Sequence, residues 1–401
     1  MTIEKNIKTY YFYSTFTDLL ILGPVIVLYL VAKGLSFTEI MLLQSIAAFA
    51  VVVFEVPTGA IADKYSRKLS VILGLVLWVI SLTMYILGER FIVLATAEII
   101  FSLGLCFKSG ADNAIIYDSL KLLNREGQYS RIEGLASSLA LYAQAIGSII
   151  AGFVYEINIH LPMIISIGFI ILTIIIAFSF KEPSIHNDGQ KTKTKYFNQI
   201  LESCKYVLNH EKLKAIMLFS MVFFAFYRAG FWYFQPYMEN VNIPVRYFGI
   251  IFMVFNIVAA YSSKRSHLFI EKTKPRTLLS LALLIIVSFI LLGIVKVWIG
   301  VAAILLQQMA RGFYRPTITK YLNKHIPNDK RATMLSFHSL GTNIAAAVTL
   351  PLMGLIRDST DIFSTHLITA FAMIILIIFV TKYMNNRLNV NKQSAYRIDK
   401  S

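Results

Sequence analysis

Apolar stretches about as long as a bilayer-crossing helix alternate with short polar breaks from the beginning of the chain almost to its end. The first half predicts spans near residues 10–32, 37–62, 69–87, 91–116, 135–155 and 161–180. A polar stretch follows, and six more spans are predicted near 213–237, 245–262, 278–295, 297–320, 332–356 and 362–380. The expected fold is an all-α integral membrane protein with twelve transmembrane helices in two pseudo-symmetric six-helix bundles. The bundles are placed at 1–180 and 213–383, with a linker at 181–212 and a tail at 384–401. The first apolar segment is too long for a signal peptide and lacks a small-residue cleavage site, so it is expected to stay as a span.

Composition agrees with this pattern and excludes a soluble globule. Of 401 residues 57% are hydrophobic and 15% charged, and the mean hydropathy is +0.65. The net charge of +16 would suggest nucleic acid in a soluble protein, but its distribution says otherwise. With the N-terminus inside, 29 of the 38 Lys and Arg fall in cytoplasmic segments and five in external loops. That asymmetry predicts cytoplasmic N- and C-termini by the positive-inside rule, adds a contact with anionic lipid, and leaves a nucleic-acid partner nothing to explain.

Cys106 and Cys204 are far apart, with no CxxC pair or His/Cys cluster, so neither a disulfide framework nor a metal site is expected. The seven histidines are scattered rather than grouped for catalysis, which disfavours a lipid-modifying enzyme. No Gly-x4-Gly-Lys-Ser/Thr loop is present, which disfavours ATP drive. No cofactor is implied. The longest polar run is the central linker, too short for the soluble domain of a receptor, and residues 197–208 within it read as a short surface-lying amphipathic helix.

A faint repeat relates the halves: the stretch from Lys108-Ser109-Gly110 through Arg131 to Gly152 recurs as Ala310-Arg311-Gly312 through Arg331 to Gly354, at an offset of 200 to 202. Parallel six-span repeats are the pattern of transporters that rock about a central site.

Between the second and third spans stands Glu55-Val56-Pro57-Thr58-Gly59-Ala60-Ile61-Ala62-Asp63-Lys64-Tyr65-Ser66-Arg67-Lys68. From Gly59 through Asp63 and Lys64 to Arg67 and Lys68 this resembles motif A of the major facilitator superfamily. Its spacing, Glu-x-Pro, five residues, Asp, three residues, Arg-Lys, is similar to a variant found in bacterial drug:proton antiporters. The resemblance implies a gate in which Gly59 allows close helix approach and Asp63, Arg67 and Lys68 latch the outward-facing state. The expected partner is the helix starting near Ala332. In the fifth span, Ala143 to Gly152 resembles the glycine-rich motif C of proton-coupled exporters, with Ser148 and Ala151 in place of a proline and a glycine. Family likeness also implies a monomer.

Charges inside spans cost about 2.5–3.5 kcal/mol at the helix centre and normally face a cavity or a partner. They are Asp18, Glu55, Glu98, Lys108 and Asp112 in the first half and Arg228, Arg311 and Arg315 in the second. Asp18, Asp112 and Glu55 are the candidate proton carriers. Lys108 and Asp112, four residues apart, could pair on one helix face. Arg228 among Tyr227, Trp232 and other aromatics, with Arg311, Arg315 and Lys108, makes the candidate substrate-binding set; His338 reads as a packing residue. The function expected is secondary active transport across the bacterial plasma membrane: proton-coupled efflux of an amphipathic small molecule. The alternative is proton-symport import of an anionic metabolite.

Overall fold

The crossings expected from the apolar pattern are helical, but several are not single helices. The computed structural model describes residues 3–17, 19, 21–183, 205–207, 209–324, 326 and 331–398. The first crossing consists of α1 (Lys5–Thr17) and α2 (Ile26–Ala32), separated by a turn containing Gly23 and Pro24, which can supply no backbone N–H to a continuing helix. α3 (Phe37–Lys64) begins with a capping box in which Ser36 Oγ accepts from Glu39 N and Glu39 accepts from Ser36 N. α4 (Arg67–Leu87) and α5 (Phe91–Lys108) follow. The fourth crossing then breaks at Ser109-Gly110, where Gly110 has φ +79°, and resumes as α6 (Ala111–Leu122). α7 (Tyr129–Ile157) and α8 (Leu161–Phe178) complete the first six.

After the linker come α9 (Glu211–Asn240), α10 (Phe248–Lys264), a short α11 (Ser266–Thr273) and α12 (Thr277–Ile294). The tenth crossing starts as a 3-10 turn, Trp298–Ala303, before α13 (Ile304–Asn323); α14 (Arg331–Ser359) and α15 (Ile362–Ile398) end the chain. Among the described residues, ten helical stretches are long and apolar enough to cross a membrane. The first and tenth crossings fall short because the first is divided and the tenth carries Gln307, Gln308, Arg311 and Arg315. Most of the linker, including residues 197–204, lies outside the described residues.

The chain divides into two compact units, Met1–Asp188 with Ile243–Val254, and Gly189–Asn242 with Phe255–Ser401. Residues 243–254, expected in the second bundle, group with the first unit because α7 receives them closely. A Cβ at Gly152 would lie 2.6 Å from Val245 O, and one at Gly249 would collide with Ser148 O. The glycine-rich stretch of the fifth span is therefore a backbone-to-backbone packing surface. In the same unit α4 and α5 cross at Gly74 and Gly104, each of whose Cβ positions would lie within 2.6 Å of the other's carbonyl oxygen. Trp78 of α4 stacks on Phe101 of α5 at 4.9 Å and donates from Nε1 to Phe101 O at 3.0 Å.

In the second unit α9 packs on α14 and α15, and α12 on α13 and α15. α13 crosses α10 at Gly312, where a side chain would strike Ala259 O. Several polar groups buried here are paired internally, as a hydrocarbon environment favours. Tyr233 Oη donates to Met353 O at 2.7 Å, Ser288 Oγ to Ala303 O at 2.7 Å, and Gln307 Nε2 to Ser288 Oγ at 3.1 Å.

Candidate functional site

The loop that resembles motif A is anchored mainly through its backbone. Ser66 caps α4 by accepting from Leu69 N at 3.0 Å and donates its hydroxyl to Glu182 Oε2 at 2.7 Å. Glu182 itself accepts from Arg67 N and Lys68 N, both at 2.9 Å. A carboxylate thus sits on the positive end of α4, where the helix dipole favours it. The Arg67 side chain pairs with Asp118 of α6 and donates to Ala114 O at 3.2 Å, while Lys68 Nζ donates to Phe178 O at 2.6 Å. Both basic residues thereby tie the loop to other helices of the first unit. The side chains of Asp63, Lys64 and 331–333 lie outside the described residues, so the expected latch partner does too. Among the described residues nothing lies within 4 Å of a Cβ at Gly59.

Deeper in the first unit, α1, α6 and α7 meet around a tyrosine. Tyr10 Oη donates to Asn113 Oδ1 at 2.8 Å and lies in short contact with Glu133 Oε2. Tyr13 Oη donates to Asp112 Oδ2 at 3.4 Å, and Ser137 Oγ to Glu133 Oε1 at 3.4 Å. Two carboxylates are thus gathered under two buried tyrosines. The phenol of Tyr10 carries one hydrogen but touches two acceptor oxygens, so one neighbour must supply another hydrogen. Either Asn113 turns its amide or Glu133 takes up a proton.

Of the expected proton carriers, Asp112 belongs to this cluster and Asp18 lies outside the described residues. Glu55 is exposed on α3, and its carboxylate has no hydrogen-bond or ion-pair partner among the described residues. Lys108 does not share a helix with Asp112 as the spacing suggested, because the break at Gly110 separates α5 from α6. Lys108 Nζ lies 5.0 Å over the Trp78 ring. Glu98 faces the protein, accepting from Tyr85 Oη at 2.6 Å and Gln44 Nε2 at 3.1 Å.

In the second unit Tyr227 lies within electrostatic range of Arg311 and Arg228, both exposed. Arg311 Nη1 donates to Asn256 Oδ1 at 3.1 Å and Gln308 Oε1 at 3.4 Å. Phe223 and Tyr314 stack at 4.6 Å nearby on the same pair of helices, α9 and α13. Arg315 is exposed one turn further along α13. Trp232, expected with Arg228 on the binding wall, is buried at 5% exposure against Phe231, so it packs within the unit rather than lining an open face.

Comparison with known proteins decides the family. A model of the Major Facilitator Superfamily matches residues 11–295 and 217–397. The chain belongs to the major facilitator superfamily. It is a multi-pass membrane transporter, with a small-molecule substrate and a bilayer environment. It is 22% identical over 388 residues to an uncharacterized MFS-type transporter, YxaM, of Bacillus subtilis (strain 168), covering 94% of this chain and 96% of that protein. It is also 25% identical over 200 residues to the quinolone resistance protein NorA of Staphylococcus aureus, an alignment covering 49% of each chain. Among solved structures, the nucleoside transporter NupG superposes with a TM-score of 0.75 at 15% identity, over 96% of this chain and 99% of that one. A bacterial homologue of the lysosomal transporter Spinster, inward-facing and unoccupied, gives 0.73 at 14%, over 95% and 96%. At these identities the superpositions establish the fold alone.

Several residues of this transporter's polar clusters were missed from sequence. Glu133 lies just outside the span expected at 135–155, whereas α7 begins at Tyr129. Tyr10, Asn113, Asn256 and Tyr314 carry no formal charge at neutral pH and so gave no signal in a search for buried charges. Asp118 and Glu182 were passed over because their partners lie 51 and more than 110 positions away.

Proposed function

We propose that this transporter exports an amphipathic small molecule across the bacterial plasma membrane in exchange for protons, by alternating access. The single observation that carries the proposal is the Tyr10–Asn113–Glu133 contact with Asp112 beside it, two neighbouring carboxyls where a proton on Glu133 would complete the hydrogen bonding. A proton moving down about 100 mV releases roughly 2.3 kcal/mol, enough to shift a two-state equilibrium close to fiftyfold. Protonation of Glu133 leaves Tyr10 free to donate to Asn113; its loss makes Glu133 an acceptor again and adds a negative charge beside Asp112. That change in charge and bonding at the junction of α1, α6 and α7 gives the two states different free energies. The relationship to NorA over half the chain supports efflux of drug-like compounds.

A second reading, symport of an anionic metabolite, is favoured by Arg228 and Arg311 beside Tyr227, since paired guanidinium groups suit a carboxylate or phosphate. A deletion strain separates the two. Under the first reading it becomes more sensitive to quinolones and other amphipathic compounds and keeps normal uptake of labelled organic anions. Unchanged sensitivity together with lost anion uptake would favour import.

A further inference from the structure

We infer that the first unit holds a seat for one anionic glycerophospholipid, at the start of α1. Lys5, Lys8 and Phe12 of α1, Arg125 of the turn after α6, and Ile176 and Ser179 at the end of α8 line a groove of about 800 Å³. Three of these side chains are cationic. Glu4 is the one acidic residue in the lining, and it pairs with Arg125 at 3.1 Å. Lys5 and Lys8 are both exposed, and the first turn of α1 contains no acidic residue. The two exposed ammonium groups therefore match the mouth of the groove to an anion.

The apolar lining is Ile7, Phe12 and Ile176, with Phe12 61% exposed. Beyond the groove along the same helices Phe16 stacks with Phe169 of α8 at 6.1 Å, and Leu172, one turn before Ile176, is 37% exposed. Basic mouth and apolar floor together fit an anionic headgroup whose acyl chain continues along α1 and α8, which a free phosphate would leave half unused. The walls are held in place by Asn6, 1% exposed, whose Nδ2 donates to Ser119 Oγ and Lys181 O at 2.8 Å and whose Oδ1 accepts from Lys181 N at 2.9 Å. That clasp fixes α1 against α6 and the end of α8, so the seat is largely formed before lipid arrives. The seat does not depend on which substrate is carried or in which direction.

The test uses the purified full chain in a neutral detergent, titrated separately with phosphatidylglycerol, phosphatidylcholine and sn-glycerol 1-phosphate. The readouts are thermal unfolding and lipid retained in native mass spectrometry. Phosphatidylglycerol is expected to raise the unfolding midpoint and remain bound at one copy, while the other two do neither. Replacing both lysines (Lys5→Gln with Lys8→Gln) should weaken phosphatidylglycerol binding by about fivefold per lysine, about thirtyfold together, at low salt. Glu4→Gln, which removes the competing carboxylate, should strengthen it severalfold and serves as the second variant should the double substitution fold poorly. Equal stabilisation by phosphatidylcholine, equal stabilisation by glycerol phosphate alone, or unchanged affinity in both variants would overturn the assignment.

Discussion

Glu182 bears more structure than a residue at a helix-to-linker junction usually does, and removing it has a calculable effect. Its carboxylate accepts from Arg67 N and Lys68 N at 2.9 Å and from Ser66 Oγ at 2.7 Å. Hydrogen bonds to a charged group contribute about 1.5–3 kcal/mol each, and a carboxylate at a helix N-terminus adds about 0.3–1 kcal/mol. Glu182 is half-buried, so water replaces part of what is lost, and Ser66 still caps Leu69 N. The expected loss for Glu182→Ala is therefore about 2–3 kcal/mol, and about 1 kcal/mol for Glu182→Gln, which keeps one neutral acceptor. A unit of roughly 200 residues shifts by about 2–4 °C per kcal/mol, so the alanine variant should unfold about 4–12 °C lower. Purified variants are compared by thermal unfolding in one detergent at a fixed scan rate, because membrane-protein unfolding is commonly irreversible. A drop under about 2 °C for alanine, or the same drop for alanine and glutamine, would refute the capping argument.

Three further outcomes follow from the same geometry. Gly249→Ala forces a Cβ into Ser148 O; it should cost about 1–3 kcal/mol by overpacking, read as a lowered unfolding midpoint, whereas Gly168→Ala, where nothing lies within 4 Å, should not. The Arg67–Asp118 pair is largely buried; removing one partner leaves an uncompensated charge, so Arg67→Gln and Asp118→Asn should each destabilise by about 2–4 kcal/mol while the double variant loses less than their sum in a double-mutant cycle. Asp361 accepts from Ser364 Oγ, Ser364 N and Phe363 N at the start of α15, and the Ser364 hydroxyl and these amides hold its carboxyl below the usual carboxylate range. A lowered folded value means its contribution is present above the unfolded pKa and fades as pH falls through the folded one, so Asp361→Ala should cost about 0.5–1 kcal/mol near pH 7 and progressively less as pH falls below the usual carboxylate range, measured as unfolding midpoints across pH.

The spans were legible because transfer of some twenty apolar residues into hydrocarbon is a local, additive property that a window along the chain can read. Where a crossing is broken, the signal was present but not read. Gly23-Pro24 and Gly110 mark the two breaks, and the second undid the inference that Lys108 and Asp112 share a helix face. Arg67 and Lys68 were singled out by spacing, yet their partners Asp118 and Glu182 were not, because pairing at long separation depends on which helices pack together. The most consequential omission was Glu133. It lies outside the apolar run, yet α7 extends six residues further toward the N-terminus than the span expected from residue 135. Residue type alone suggests Trp232 as a substrate contact; in the structure it is buried, and its contact is with Phe231.

Proton movement through the Glu133 cluster is proposed to drive transport, and one reconstitution decides whether it does. Purified protein is placed in liposomes containing a trapped pH-sensitive dye, a proton gradient is imposed, and a quinolone is added while luminal pH and quinolone content are followed together. Wild type should couple quinolone movement to dissipation of the gradient, and Glu133→Gln, equally well folded and inserted, should lose that coupling by at least about tenfold, as expected for loss of a proton-transfer group. Coupled flux in Glu133→Gln at the wild-type rate, or quinolone movement in wild type that leaves luminal pH untouched, would contradict it.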